Sequence, residues 1–230
     1  MSHFVIAGGS KGIGLEIVQQ LASEGHRVTV ISRTAPDLDH DQINFIPFDF
    51  SENTELPALP EIIDGLVYCP GTVNLKPFHR ITADEFSLEL QVNFVGAVRL
   101  LQQAFPALKK SNAPSVVLFS TVAVRTGMPF HAGIASAKGA VEGLVKSLAA
   151  EWAPTIRVNA IAPSLTDTTL VERLVNTPEK KEAAGKRHPL QRVGETKDIA
   201  SMATFLLSDK SSWMTGQILS VDGGMGTLKI

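Results

Sequence analysis

The stretch Gly8-Gly9-Ser10-Lys11-Gly12-Ile13-Gly14 lies between a short apolar run and a helical pattern. Glycines so placed let the chain turn tightly and bring the positive end of a helix against a pyrophosphate. A bare glycine pattern is weak, but at the first strand-to-helix crossover it favours a nucleotide over an empty turn. The second apolar run ends in Ser32-Arg33, where a dehydrogenase that prefers NAD usually carries an acid. A basic residue there, with Lys11 in the loop, pairs with a 2′-phosphate, so the expected cofactor is NADP(H). Asp39-His40-Asp41 has the composition of a metal site but no further spaced ligands, and reads as a solvated turn with no metal. Cys69, beside Pro70, reads as a small buried residue and not as a nucleophile.

These residues need a scaffold, and the apolar patterning supplies one. Strands are expected at 4–7, 28–31, 43–48, 66–68, 115–120, 157–161 and 217–221. Helices are expected at 12–23, over a long stretch at 82–108, and at 131–152 and 198–207. Strands that alternate with crossover helices imply a parallel sheet covered on both faces. The connections 33–43 and 51–61 are short or proline-punctuated, so the second and third crossover helices should be reduced or missing. The expected fold is a single α/β domain over 1–230, a three-layer, Rossmann-type doubly wound parallel sheet. The polar segment 165–195 reads as a mobile lid over the substrate.

Composition narrows the setting. The 230 residues are 44% hydrophobic, which excludes a disordered chain, and a single cysteine excludes a disulfide scaffold. No apolar run approaches the roughly 20 residues that cross a bilayer, and the start lacks the basic region of a signal peptide. A net charge of −2 gives no support to nucleic-acid or anionic-membrane binding. The expectation is a cytoplasmic protein. The chain holds one tyrosine, Tyr68.

Over nearly its whole length the sequence resembles the short-chain dehydrogenase/reductase family. The resemblance is carried by Gly8–Gly14, by Asp49, by Asp64-Gly65-Leu66-Val67 leading to Gly71, by Asn93 and by Ser120-Thr121. It continues through Ala135-Ser136-Ala137-Lys138-Gly139-Ala140, Ile156 to Pro163, Asp167-Thr168, Thr215-Gly216-Gln217 and Val221-Asp222-Gly223-Gly224. In flavour it is similar to 3-oxoacyl-carrier-protein reductases and related carbonyl reductases. The resemblance implies a cofactor site of Gly8, Ser10, Lys11, Gly12, Ile13, Gly14, Ser32, Arg33, Asp49, Gly71, Lys138, Pro163 and Thr168. It also implies hydride transfer to a carbonyl while a tyrosine donates the proton, a lysine four residues on lowers that tyrosine's pKa, a serine polarises the carbonyl, and an asparagine orders water. Lys138 and Asn93 match, and Thr121 stands at the serine position with Ser120 beside it. The tyrosine position holds Ile134, which has no proton to give. No shift of alignment repairs this, because Tyr68 falls on the fourth strand, beside the adenosine half of the cofactor.

His131 lies seven residues before Lys138, nearly on the same helix face and roughly 10 Å along the axis. The enoyl-reductase branch of the family places its active tyrosine at that spacing, with an aliphatic residue at the usual position. His131 therefore reads either as a replacement acid or as a polar residue at a helix start. Three functions follow: an NADP(H)-dependent oxidoreductase acting on a carbonyl or enone with an atypical proton donor, a catalytically inactive NADP(H)-binding sensor or structural subunit, or a fold that no longer binds nucleotide. The resemblance also implies a homodimer or homotetramer.

Overall fold

The computed structural model describes residues 1–229, and among them seven strands form one parallel sheet. The strands are β1 (His3–Ala7), β2 (Arg27–Ser32), β3 (Ile43–Pro47), β4 (Gly65–Tyr68), β5 (Ser115–Phe119), β6 (Arg157–Pro163) and β7 (Ile218–Val221). Their order is β3-β2-β1-β4-β5-β6-β7, so the winding reverses between β1 and β4. A crevice opens at such a reversal beyond the carboxyl ends of the strands.

Alternation along the strands sends side chains to two cores. Phe4, Ile6 and Val67 pack under α1 (Gly12–Ser23) and α8 (Thr196–Leu207), through Ile17, Leu21, Ala203 and Leu206. Val5, Leu66 and Tyr68 pack on the opposite face against Leu100 and Leu101 of α3 (Gly96–Leu108) and Val141 and Val145 of α5 (Ala132–Trp152). This is the three-layer, doubly wound arrangement that the patterning implies.

The second and third crossovers carry no helix. Residues 33–42 and 48–64 are irregular, with scattered bends and turns. Arg99 and Gln103 of α3 hold the latter stretch by hydrogen bonds to the carbonyls of Glu52, Thr54 and Pro57. Leu56 and Leu59 cover the core where a helix would lie.

The long helix expected over 82–108 begins at α2 (Ala83–Leu90), under a Thr82–Glu85 capping box. It then widens into a π-helical turn at Gln91–Val95 before α3. A π turn leaves backbone groups out of the regular ladder. Tyr68 meets one of them, donating its hydroxyl to the Val92 carbonyl at 2.6 Å. A Cβ on residue 96 would lie 2.2 Å from that hydroxyl oxygen, so Gly96 makes the contact sterically possible. The single tyrosine is thus a buried strut, 2% exposed.

Candidate active site

The glycine loop closes tightly over the end of β1. Gly8 takes φ +73°, and a Cβ there would sit 2.9 Å from Pro70 N. A Cβ on Gly14 would sit 2.2 Å from the Gly8 carbonyl oxygen, so both positions demand glycine. α1 starts at Gly12 with no side-chain cap and no acid in its first turn, which leaves its N–H groups facing outward for an anion. Ser10 meets Thr34 at 3.3 Å, and Ser32 donates to the Thr34 carbonyl at 2.8 Å. These bonds tie the loop to the end of β2, with exposed Lys11 and Arg33 on either side.

Arg33, Pro47, Phe48, Asp49, Glu52 and Thr54 line a shallow cavity of about 440 Å³ at that edge. Partial burial pushes the Asp49 carboxyl up, but hydrogen bonds from the Ser51 N–H and hydroxyl and the charge of Arg33 outweigh it and hold the group below its ordinary value. A second cavity, about 330 Å³, lies near Phe4, His26 and Asp64 at the other end of the strands, remote from the loop.

Across the switch point the ends of β4, the π turn and α5 converge on Gly71. A Cβ on residue 71 would lie 3.1 Å from Asn93 Oδ1 and 4.0 Å from Lys138 Nζ. Asn93 is fully buried, and its Nδ2 donates to Thr72 Oγ1 and to the Glu89 carbonyl, each at 3.0 Å. Lys138 is 7% exposed, and burial pushes its ammonium down to about 8. Burial raises the neighbouring Cys69 thiol to about 12, so it remains a neutral thiol near pH 7.

The two hydroxyls after β5 part company. Ser120 is buried and donates to Glu142 Oε1 at 2.7 Å, which commits it to α5. Thr121 is half-buried, accepts from the Ala123 N–H at 3.3 Å, and keeps its own proton to donate. Ile134 occupies the first turn of α5, 5% exposed and without polar atoms on its side chain. His131 stands at the start of that helix with Nδ1 2.7 Å from the Pro129 carbonyl oxygen.

Pro163 ends β6, and Ser164 Oγ lies 2.9 Å from His188 Nε2. His188 Nδ1 lies 3.0 Å from the Ala184 carbonyl oxygen, which pins α7 (Pro178–Gly185) to the end of the sheet. The segment expected as a lid therefore contains short helices, with its own small cluster of Val175, Ala184 and Val193. It begins over the glycine loop: a Cβ on Gly12 would lie 3.3 Å from Thr168 Cγ2.

One group escaped the sequence reading. Glu89 is 3% exposed and lies beside Gly133 on α5. Its Oε1 accepts the Asn74 N–H at 2.9 Å, while Oε2 is buried with no hydrogen-bond partner. Burial raises its pKa against the Asn74 hydrogen bond, Glu85 adds to the rise, and His131 opposes it. The available signal was spacing, since Glu89 stands four residues before Asn93 on one helix face. Among the described residues no three His, Cys, Asp or Glu side chains gather as a metal ion would require, and no helix is long and apolar enough to cross a membrane.

A family model described as enoyl-(acyl carrier protein) reductase matches residues 7–226. A tropinone reductase homolog of Arabidopsis thaliana is 36% identical over 96% of this chain and 74% of its own. L-xylulose reductase of Bos taurus is 34% identical, covering 96% of this chain and 94% of its own. Among solved structures, a ligand-free aldohexose dehydrogenase of Thermoplasma acidophilum superposes with a TM-score of 0.90 at 27% identity, covering 99% of this chain and 95% of its own. The NADP active-site complex of RhlG from Pseudomonas aeruginosa gives 0.87 at 25% identity, covering 98% and 96%.

Proposed function

Because the chain belongs to the short-chain dehydrogenase/reductase family, we propose that it is an NADP(H)-dependent oxidoreductase that reduces the carbonyl or enone of a small molecule with a proton donor other than tyrosine. One observation carries this reading: Asn93 and Lys138 converge on Gly71 beside an intact glycine loop, and Thr121 keeps a hydroxyl at the serine position, while the tyrosine position alone loses its polar group, as Ile134. Support also comes from the names of the relatives, one an L-xylulose reductase and several others tropinone reductase homologs.

The residues fit the cofactor. The turn leaves no space for a side chain at Gly8 or Gly14, and the uncapped start of α1 presents free N–H groups, as a pyrophosphate requires. Arg33 and Lys11 would hold the 2′-phosphate and Asp49 the adenine side. Lys138 would hold the nicotinamide ribose, and Pro163 and Thr168 the carboxamide end. When bound, the nicotinamide supplies the hydride. Thr121 is free to donate a hydrogen bond to the substrate oxygen. Ile134 adds apolar surface that keeps water away from the reacting carbon. With its ammonium near 8, Lys138 is mostly charged at neutral pH and favours developing negative charge on that oxygen.

Losing one general acid costs about 10² to 10⁴ in rate, so turnover should be slow and not abolished. The test is NADPH oxidation against a panel of ketones and enones, with NADH as comparison. Turnover with preference for NADPH supports the proposal. Ile134 favours one alternative, a catalytically inactive NADP(H)-binding sensor or structural subunit, whose mark is nucleotide affinity without turnover of any carbonyl. Assembly as a homodimer or homotetramer belongs to the same reading and draws support from Trp213, which is fully exposed. Light scattering of the purified protein tests it.

A further inference from the structure

A carbonyl carbon that gains a hydride leaves an oxygen in need of a proton, and Ile134 has none. The donor must come from a neighbouring element, and α2 brings one. Glu89 sits in the last turn of α2, one helical turn before Asn93, with its carbonyl bonded to the Asn93 amide. Oε1 is held by the Asn74 N–H at 2.9 Å. Oε2 is aimed at α5 and has no hydrogen-bond partner. A Cβ on residue 133 would stand 1.8 Å from Oε2, so glycine alone admits the carboxyl there. Gly133 is the residue next to Ile134.

An ionised carboxyl with one oxygen buried and unpaired is costly, whereas a protonated one is neutral and carries an O–H able to donate. Resting on the oxidoreductase reading above, we propose that Glu89 is the proton source of this site, its Oε2–H taking the part that tyrosine plays elsewhere in the family. The carbonyl carbon gains the hydride, the C=O π bond opens onto oxygen, and that oxygen takes the proton as the Glu89 O–H bond breaks. The carboxylate left behind is stabilised by the Asn74 N–H and by the charge of His131, and is reprotonated from solvent past the half-buried His131 ring. The sum is carbonyl plus reduced nicotinamide plus one proton, giving alcohol plus oxidised nicotinamide.

The titratable groups that act on Glu89 are Glu85 on its own helix, which Lys76 from the preceding loop pairs with, and His131 at the head of α5. Burial and Glu85 raise the Glu89 carboxyl, and the Asn74 N–H and His131 pull it down, with a net rise.

The first test needs neither cofactor nor substrate. Carbon-13 NMR of glutamate side-chain carboxyls should show one resonance, missing in Glu89→Gln, that titrates above the usual value of about 4.3. Titration of that resonance together with the exposed glutamates overturns the proposal. In turnover, Glu89→Gln should keep its NADPH affinity, lose a factor of about 10² to 10⁴ in kcat and lose the fall in rate at higher pH that deprotonation of a general acid imposes. An active wild type with an equally active Glu89→Gln overturns this assignment alone. A wild type that binds NADPH and reduces nothing overturns the oxidoreductase reading, and this one with it. Gly133→Ala is the second variant: it keeps the carboxyl but displaces Oε2, and should lower both kcat and the Glu89 titration point. A Gly133→Ala protein with neither change overturns the proposal.

Discussion

Replacing Lys138 with methionine should stabilise the nucleotide-free protein. Lys138 is 7% exposed, and burial lowers its ammonium from 10.5 to about 8. Cys69, raised to about 12, offers no countercharge at neutral pH. A depression of that size corresponds to about 3 kcal/mol spent on keeping the charge inside. The unfolded chain holds this proton up to about 10.5 and the folded chain releases it near 8, so stability should rise with pH between those values. The cost is fully present below about 8 and relieved above about 10.5. Methionine keeps most of the apolar stem and removes the charge, so Lys138→Met should gain up to about 3 kcal/mol at pH 7. For a chain of this length that is a rise in Tm of roughly 6–12 °C. The assay is urea unfolding without nucleotide, at pH 7 and again near pH 10, where the gap should shrink. Equal or lower stability of Lys138→Met at pH 7, or a gap that does not change with pH, refutes the reasoning. The same variant should bind NADPH at least about tenfold more weakly if, as proposed, the ammonium holds the ribose.

Three further perturbations test other parts of the account. Tyr68→Phe leaves the buried Val92 carbonyl unpaired and should cost about 1–3 kcal/mol in urea unfolding, with less than about 0.5 counting against the strut. Arg33→Ala should weaken NADPH binding about tenfold or more while leaving NADH nearly unchanged, read as the ratio of the two Kd values. Gly14→Ala places a Cβ against the Gly8 carbonyl and should cost about 1–3 kcal/mol of stability together with nucleotide affinity, measured by thermal unfolding and by fluorescence titration.

Much of this molecule was legible in the order of its residues. Apolar runs buried on both faces marked β1, β2 and β5, and the glycine spacing marked the loop that the backbone closes at Gly8 and Gly14. The shortened connections after β2 and β3 showed in their prolines and polar residues. The π turn at Gln91–Val95 was not legible, because its hydrophobic pattern continues that of the flanking helices and the Tyr68 hydroxyl that bonds the Val92 carbonyl within it comes from 24 residues away. Glu89 was missed for a related reason. A charged residue on a helix reads as solvated, and its burial depends on a glycine 44 positions later that leaves it space. His131 was legible as a helix start, and the structure adds its charge beside Glu89.

The central proposal is that this site transfers hydride to a carbonyl although Ile134 stands where the family resemblance implies a tyrosine. Reduction of a responsive ketone or enone with NADPH deuterated at C4 of the nicotinamide, followed by mass spectrometry of the product, tests it most directly. One deuterium on the reduced carbon in wild type, at a rate that falls in Glu89→Gln, is the expected result. Tight NADPH binding with no deuterium transferred to any carbonyl compound would contradict it.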